Sequence, residues 1–283
     1  MKTDIRSMNL NELTEFLSQL NQPKFRAAQI FKWLQSGVET FDQMTNIPKP
    51  LREVLAEKCY IANVEIVKRL ESKIDGTVKY VYKLFDGEFI ESVLMKYEHG
   101  YTVCISTQVG CRMGCSFCAS GLCGLKRNLT ASEMLSQIMM AAKDNNIRVS
   151  NVVMMGMGEP LDNFHNSVRF LELVSSEEGL GIGMRHISLS TSGVVSGIEK
   201  LKEYNLKQQL NKIAANRLFG NRVKLYSRAV LILCVLMLAA LVLDKLLLSV
   251  ALLAVLVVYA MWYSAVIEKE ANKIRAEMEL TEE

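Results

Sequence analysis

The sequence predicts an α/β chain in three parts: an N-terminal helical domain, a β-meander feeding an incomplete (βα) barrel, and a C-terminal helical hairpin. Three observations predict it. Apolar residues recur at helical spacing over the first 60 positions, alternate with period two over 77–108, then fall into short strand and helix units up to 193. The hydrophobic share of 50% is high for a soluble enzyme, and the excess lies after residue 228. At 283 residues there is length for one large domain or two.

The first part, 1–75, reads as three helices. Leu10, Leu13, Phe16, Leu17 and Leu20 share one helical face, with Pro23 as the stop. Ala27, Ile30, Phe31 and Leu34 make a second face ahead of Gly37, and a third helix runs near Leu51 to Cys59 after the Pro48-Lys-Pro50 break. Lys24, Arg26, Lys32 and Arg52 give this part a basic side, which is either an ordinary solvated surface or a place for RNA to dock. The net charge of +3 permits a nucleic-acid partner without requiring one.

The second part, 76–206, opens with strands. Val78–Leu84 runs into Asp86-Gly87, and Phe89–Met95 follows, so a two-residue turn and a hairpin are expected. Thr102–Thr107 makes a third strand. Glu91 shares its face with Phe89, Val93 and Met95; burial among them would raise its pKa and suit it to proton transfer, whereas an edge position would leave it in water. Cys104 falls with Thr102, Ser106 and Gln108, opposite Val103 and Ile105, which points it to a polar side and away from the Val/Ile layer.

Parallel units come next. Thr130-Ala-Ser-Glu133 is a capping box opening a helix with Leu135, Ile138 and Met139 on one side. The strand Asn151–Met155 ends in Gly156-Met-Gly158-Glu159-Pro160, where two glycines allow close approach of a ligand and Glu159 offers a carboxylate. A helix with Phe164, Val168, Leu171 and Val174 leads to the strand His186–Ser190 and then Thr191-Ser-Gly193. In such folds ligands gather at the carboxyl ends of the strands.

Between meander and parallel units lies Cys111-Arg-Met-Gly-Cys115-Ser-Phe-Cys118. Five of the seven cysteines fall between Cys104 and Cys123, which marks a site and not scattered core thiols. No secretory leader opens the sequence, so a disulfide framework is not expected. Three thiolates from one loop suit an iron–sulfur cluster with one iron left open; a zinc site completed by Cys104 or Cys123 uses the same residue types.

The C-x3-C-x2-C spacing with Phe117 before the last cysteine resembles the radical S-adenosylmethionine (SAM) superfamily. Within it, the chain resembles the bacterial family that methylates C2 of an adenine in 23S ribosomal RNA and in certain transfer RNAs. The matching stretches are Phe25–Trp33, Phe89–Val93, Cys104–Cys111, Cys115–Cys118, Met155–Pro160 and Leu189–Val195. The resemblance implies a partial radical SAM barrel in which Cys111, Cys115 and Cys118 hold a [4Fe–4S] cluster. It implies that the open iron chelates SAM, with Phe117 near the adenine, Gly158 and Glu159 at the amino-acid end, and Ser190 also in contact. It further implies 5′-deoxyadenosyl radical chemistry on a methyl group carried by a cysteine, with Cys104 as the cysteine that resolves the RNA adduct and Glu91 as the proton-handling carboxylate. Implied partners are 23S rRNA, tRNA and an electron donor such as flavodoxin, in the cytoplasm.

After about Leu206 the resemblance stops. The next barrel strand with its Ser-Leu-His contact and the methyl-carrying cysteine have no counterpart, and Cys234, inside an apolar run, is not assigned that part. A basic linker, 207–228, leads to Ala229–Leu243, Asp244-Lys245 and Leu246–Ile267, the last a 22-residue run long enough to span a bilayer. Positive residues at both outer ends of 229–267 place both ends in the cytoplasm of an inner-membrane hairpin, and 268–283 reads as a polar tail. Three readings follow: an RNA methyltransferase with an altered C-terminal half, a membrane-tethered iron–sulfur and SAM-binding protein without RNA methylation, or an enzyme fragment joined to an unrelated membrane segment.

Overall fold

The computed structural model describes residues 2–204. The basic linker 207–228, the apolar hairpin 229–267, the tail 268–283 and Cys234 lie outside the described residues. Among those described, no helix is long and apolar enough to cross a membrane.

The chain enters on a two-residue strand, β1 (Thr3–Asp4), and a short 3-10 turn carrying Ile5 and Arg6. Asn9 then opens α1 (Leu10–Gln19): its side chain accepts from the Glu12 N–H and the Glu12 carboxylate accepts from the Asn9 N–H, both at 2.9 Å. Next come α2 (Phe25–Gln35) and α3 (Lys49–Lys58), the latter with proline in its first turn. Leu13, Leu17, Ala27, Ile30, Phe31, Leu34 and Leu55 are buried, as the helical spacing predicts. Lys24 and Lys32 stand exposed, but Arg26 and Arg52 are partly buried and donate to the carbonyls of Asn46 and Asp42. Among the described residues, the two lysines of that basic side have no such ties, whereas each guanidinium reaches back to a neighbouring turn.

After α3 the chain pairs β2 (Cys59–Tyr60) with β1, then lays down β3 (Glu65–Glu71), β4 (Val78–Lys83), β5 (Phe89–Tyr97) and β6 (Gly100–Cys104). β3 was not expected; its residues are mostly exposed, so no alternation signalled it. The β4–β5 connection also differs from the expected two-residue turn. Gly87 N–H donates to the Leu84 carbonyl (3.0 Å) and Leu84 N–H to that of Glu88 (2.8 Å), giving a three-residue loop with Gly87 left-handed at φ +86°. Beyond β6 a small ladder joins β7 (Gln108–Gly110) to β8 (Leu125–Asn128). Then follow α4 (Ala131–Asn145), β9 (Val149–Met154), α5 (Phe164–Ser175) and β10 (Ile187–Leu189), with helix again over 195–204. The Thr130 capping box forms as read.

One six-stranded sheet, ordered β10-β9-β6-β5-β4-β3, carries the chain. β10, β9 and β6 are parallel, and the remaining pairs are antiparallel. One register row reads Ile187, Val152, Val103, Leu94, Val78. Its four members from Val152 to Val78 are buried on the helix side with Met134, Leu135 and Ile138 of α4. The next row reads Ser188, Val153, Cys104, Val93, Lys79, Leu70 and is open or half-open. Gln137 of α4 anchors the end of β6 by accepting from the Ser106 N–H and donating to the Ser106 carbonyl, both at 2.9 Å.

Arg6 joins the helical part to the sheet part. Its guanidinium donates to the carbonyls of Val38 and Ala62, to Asn63 and to the Ser136 hydroxyl of α4. Burial lowers its pKa to about 10, still cationic at neutral pH. Residues 1–201 make one compact unit.

Candidate active site

Three loops leave the carboxyl ends of the three parallel strands: the cysteine loop after β6, the glycine loop after β9 and the Ser190–Gly193 turn after β10. Strand order makes them neighbours. The cysteine loop is closed at its base by the β7–β8 ladder, and Cys111 N–H donates to the Gly124 carbonyl at 3.2 Å. Gly110 sits at φ +74°, and a Cβ there would stand 1.8 Å from that same carbonyl oxygen. Inside the loop, Cys118 N–H donates to the Cys115 carbonyl at 3.0 Å, and Met113 N–H points to the Cys111 sulfur at 3.5 Å.

Cys111 is buried, Cys115 and Cys118 are half-buried, and Cys123 is exposed. Hydrogen bonds from Ser120, its hydroxyl first, lower the Cys118 thiol pKa and so favour the thiolate a metal needs. Among the described residues no three His, Cys, Asp or Glu side chains are gathered tightly enough to hold a single ion. A cubane cluster asks for something else, since each thiolate binds its own iron and the sulfurs stand further apart. A backbone N–H toward one sulfur, an acidified second thiol and three thiols on one short loop fit such a cluster. Phe117, between two of them, is 91% exposed and free to pack on a ligand.

At Gly156 and Gly158, where a ligand is expected to approach the backbone, the side on which a Cβ would stand is filled by the protein itself. Gly158 lies at φ +100°, and a Cβ there would meet Gln108 Cβ at 2.5 Å and Gln108 N at 2.7 Å. Thr107 and Gln108 N–H groups both donate to the Met157 carbonyl, and Met157 N–H donates to the Ser106 hydroxyl. The glycine loop is thus laced onto the strand that delivers the cysteines.

Glu159 does not offer a free carboxylate. It is 3% exposed; one oxygen accepts from Leu161 N–H at 2.9 Å and the other from Ser192 N–H at 2.6 Å. The carboxylate therefore ties the β9 loop to the β10 turn, leaving further lone pairs for a ligand. Ser190 is exposed at the end of β10.

On the open sheet face, Cys104 stands directly opposite Val93, and Glu91 lies two residues back on the same side. Glu91 is not sunk among apolar neighbours: its side chain is 46% exposed and pairs with Lys79 at 2.9 Å. Among the described residues no helix covers the face it shares with Phe89, Val93 and Met95, and so of its two readings the water-exposed one holds. Cys104 is half-buried, and desolvation raises its thiol pKa, opposed by a weaker backbone hydrogen bond from Met155.

Sequence reading missed Gln108, Arg112 and Asp162. The Gln108 amide donates to Asn128 Oδ1 (2.8 Å) and Asp162 Oδ2 (2.9 Å), while its oxygen accepts from Glu159 N–H (2.8 Å). Arg112 grips the Asp162 carboxylate with two N–H donors and lowers its pKa. Only their positions one after Cys111 and two after Pro160 hinted at this.

Such a sheet, with a three-cysteine loop and a glycine loop at its parallel strand ends, defines a radical SAM unit. Residues 105–213 match the radical SAM superfamily, and residues 3–61 match the family described as ribosomal RNA large subunit methyltransferase N-terminal domain. Over these stretches the chain is similar to dual-specificity RNA methyltransferases of the radical SAM superfamily. It is 53% identical over 205 residues to the probable dual-specificity RNA methyltransferase RlmN of Alkaliphilus oremlandii, covering 72% of this chain and 60% of that one. It is 47% identical over 205 residues to the protein of the same description in Clostridioides difficile, with the same coverage. A crystal structure of a radical SAM methyltransferase from Sphaerobacter thermophilus aligns with TM-score 0.66 and 41% identity, over 70% of this chain and 60% of that one. The chain thus spans about 60% of the length of the relatives it matches.

Proposed function

We propose that the chain is a radical SAM methyltransferase directed at C2 of adenine in 23S rRNA and tRNA. The observation that carries this reading is the meeting of the cysteine loop, the glycine loop and the Ser190 turn at the ends of β6, β9 and β10, with Cys104 and Glu91 on the adjoining open face. Relatives described as dual-specificity RNA methyltransferases support it.

In this reading Cys111, Cys115 and Cys118 hold a [4Fe–4S] cluster. When bound, that cluster supplies the electron that makes SAM reactive enough to functionalise an sp2 carbon. Phe117 offers a flat apolar surface to the SAM adenine, and Gly158, Glu159 and Ser190 line its amino-acid end. Glu159 keeps the β9 and β10 loops together while presenting its remaining lone pairs. Once its proton is removed, the Cys104 thiolate is placed to attack the sulfur of a methyl-carrying cysteine joined to RNA. A disulfide forms as that sulfur's bond to the RNA carbon breaks and the carbon takes up a proton. The stretches matched here do not supply that carrier cysteine. Glu91, half in water beside Lys79, is placed to accept a proton on that face. Lys24 and Lys32 present positive charge to RNA phosphates. A flavodoxin-like donor supplies the electron, and membrane attachment through 229–267 is proposed from the sequence alone.

The test uses the full chain, purified without oxygen and loaded with iron and sulfide, then given SAM, a reductant and a 23S rRNA fragment. SAM cleavage is the first expected outcome, and 2-methyladenosine in digested RNA is the product that requires a methyl-carrying cysteine, which the matched stretches do not contain. SAM cleavage without methyl transfer supports the alternative of a SAM-binding iron–sulfur protein; an intact cluster with no SAM cleavage would end both. A carbonate wash of membranes tests the hairpin, since release into the supernatant rules out an integral anchor.

A further inference from the structure

Arg112 and Asp162 belong to different loops, fifty positions apart, and join the two that make the site. Arg112 follows the first cluster cysteine. Its Nε donates to Asp162 Oδ2 at 3.0 Å and its Nη2 donates to Asp162 Oδ1, a two-pronged grip that fixes direction as well as distance. Asp162 Oδ2 also accepts from the Gln108 amide at 2.9 Å, and Gln108 is fully buried between Asn128 of β8 and the Glu159 N–H. One carboxylate thus touches the cysteine loop, the base of its ladder and, through Gln108, the glycine loop.

Exposure separates the two partners. The Asp162 side chain is 10% exposed and Arg112 is 63% exposed. An ion pair half in water contributes little to global stability. Its anchored end, in contrast, cannot turn away without leaving the Gln108 amide short of a partner. The pair is therefore weak as a staple for the whole fold and well built to fix one loop against another.

We propose that Asp162 is a positioning residue: by gripping Arg112 it sets the cysteine loop against the glycine loop, and SAM binding depends on that setting. The proposal rests on the SAM reading above. Neither residue touches the thiols' metal or SAM in this assignment; they act through the two loops they connect.

The experiment compares Asp162→Asn, Arg112→Met, Arg112→Lys and the Asp162→Asn/Arg112→Met double variant in the full chain. Hydrogen exchange over residues 111–124 is followed in cluster-free protein, and SAM is titrated against the electron-paramagnetic signal of the reduced, cluster-loaded protein. Each of the first two variants is expected to speed loop exchange and to raise the half-saturating SAM concentration by roughly two- to fivefold, the scale of a half-exposed charge pair. Iron content should stay at the wild-type level, Arg112→Lys should recover part of the loss, and the double variant should be no worse than Asp162→Asn alone. Unchanged exchange and unchanged SAM titration in both single variants, or additive losses in the double, would overturn the proposal. If the wild-type signal ignores SAM altogether, the SAM reading falls, and the exchange data still decide whether the pair sets the loop. Arg112→Met alters a mostly exposed side chain, so it keeps the test decisive should Asp162→Asn fail to fold.

Discussion

The carbonyl oxygen of Gly124 occupies the place where a side chain on Gly110 would begin, 1.8 Å from the ideal Cβ position. These two glycines are the two lips of the cysteine loop, and the Cys111 N–H to Gly124 carbonyl hydrogen bond closes it between them. Gly110→Ala must either break the left-handed backbone at φ +74° or push the β8 strand away. A cost of at least about 1–3 kcal/mol is expected from the strained conformation alone. Urea unfolding measures it, and iron bound after reconstitution should fall with it; a variant with wild-type midpoint and iron content would contradict the close contact.

Glu159 gives a second prediction. Glu159→Ala leaves the Leu161 and Ser192 N–H groups without their acceptor, which costs about 1–3 kcal/mol for each group that stays buried. Glu159→Gln puts an amide donor against one of those donors and should recover only part of the loss. A stability equal to wild type in the alanine variant, read by denaturant midpoint, would show that the β9 and β10 loops hold together without it.

Arg127 clamps the β4–β5 hairpin to the start of α4. It donates to Asp86 at the hairpin tip and, through two nitrogens, to the buried Glu133, and it lies over the Phe85 ring. Arg127→Ala should destabilise the chain by about 2–4 kcal/mol, because Glu133 keeps its burial and loses its cation. The Arg127 hydrogen bond lowers the Asp86 pKa. A depressed carboxylate contributes stability that is fully present above its unfolded value, near 3.9, and fades as pH falls through the lower folded value. The gap between wild type and Arg127→Ala should therefore narrow below about pH 4, as unfolding midpoints across pH would register.

Cys104 titrates late. Burial raises its thiol pKa above the ordinary value, so the thiolate fraction, and with it the alkylation rate, should still be climbing at a pH where a free cysteine has levelled off. Iodoacetamide labelling read by peptide mass, with Cys104→Ser as the blank, gives the profile. A plateau at the pH of a free cysteine would place Cys104 in water.

What could be read in the sequence was whatever the chain keeps local. The three cysteines lie within eight residues, the Thr130–Glu133 capping box within four, and both appear where the spacing put them. The β3 strand escaped because its side chains are wet on both faces and carry no alternation. The β4–β5 loop escaped in detail, since Asp-Gly serves a two-residue turn and a three-residue loop alike. Glu91 stayed open between burial and water because parity tells which residues share a face but not which face the helices cover. The Gln108–Asp162–Arg112 contacts depend on loops that meet only after β6 and β9 pair, and no spacing in one sequence announces that.

The sheet order has a kinetic meaning. Read from one edge, the strands run 3, 4, 5, 6, 9, 10, so each newly made strand docks on the edge its predecessor left and none has to insert between two already joined. The first three pairings close short loops, and the parallel joins, which wait for whole helices, come last. A chain emerging from the ribosome can therefore build this sheet from its N-terminal edge in the order of its own synthesis. Strands 7 and 8 make their own separate ladder, so the cysteine loop is an eddy in that progress, tied at its neck before strand 9 arrives.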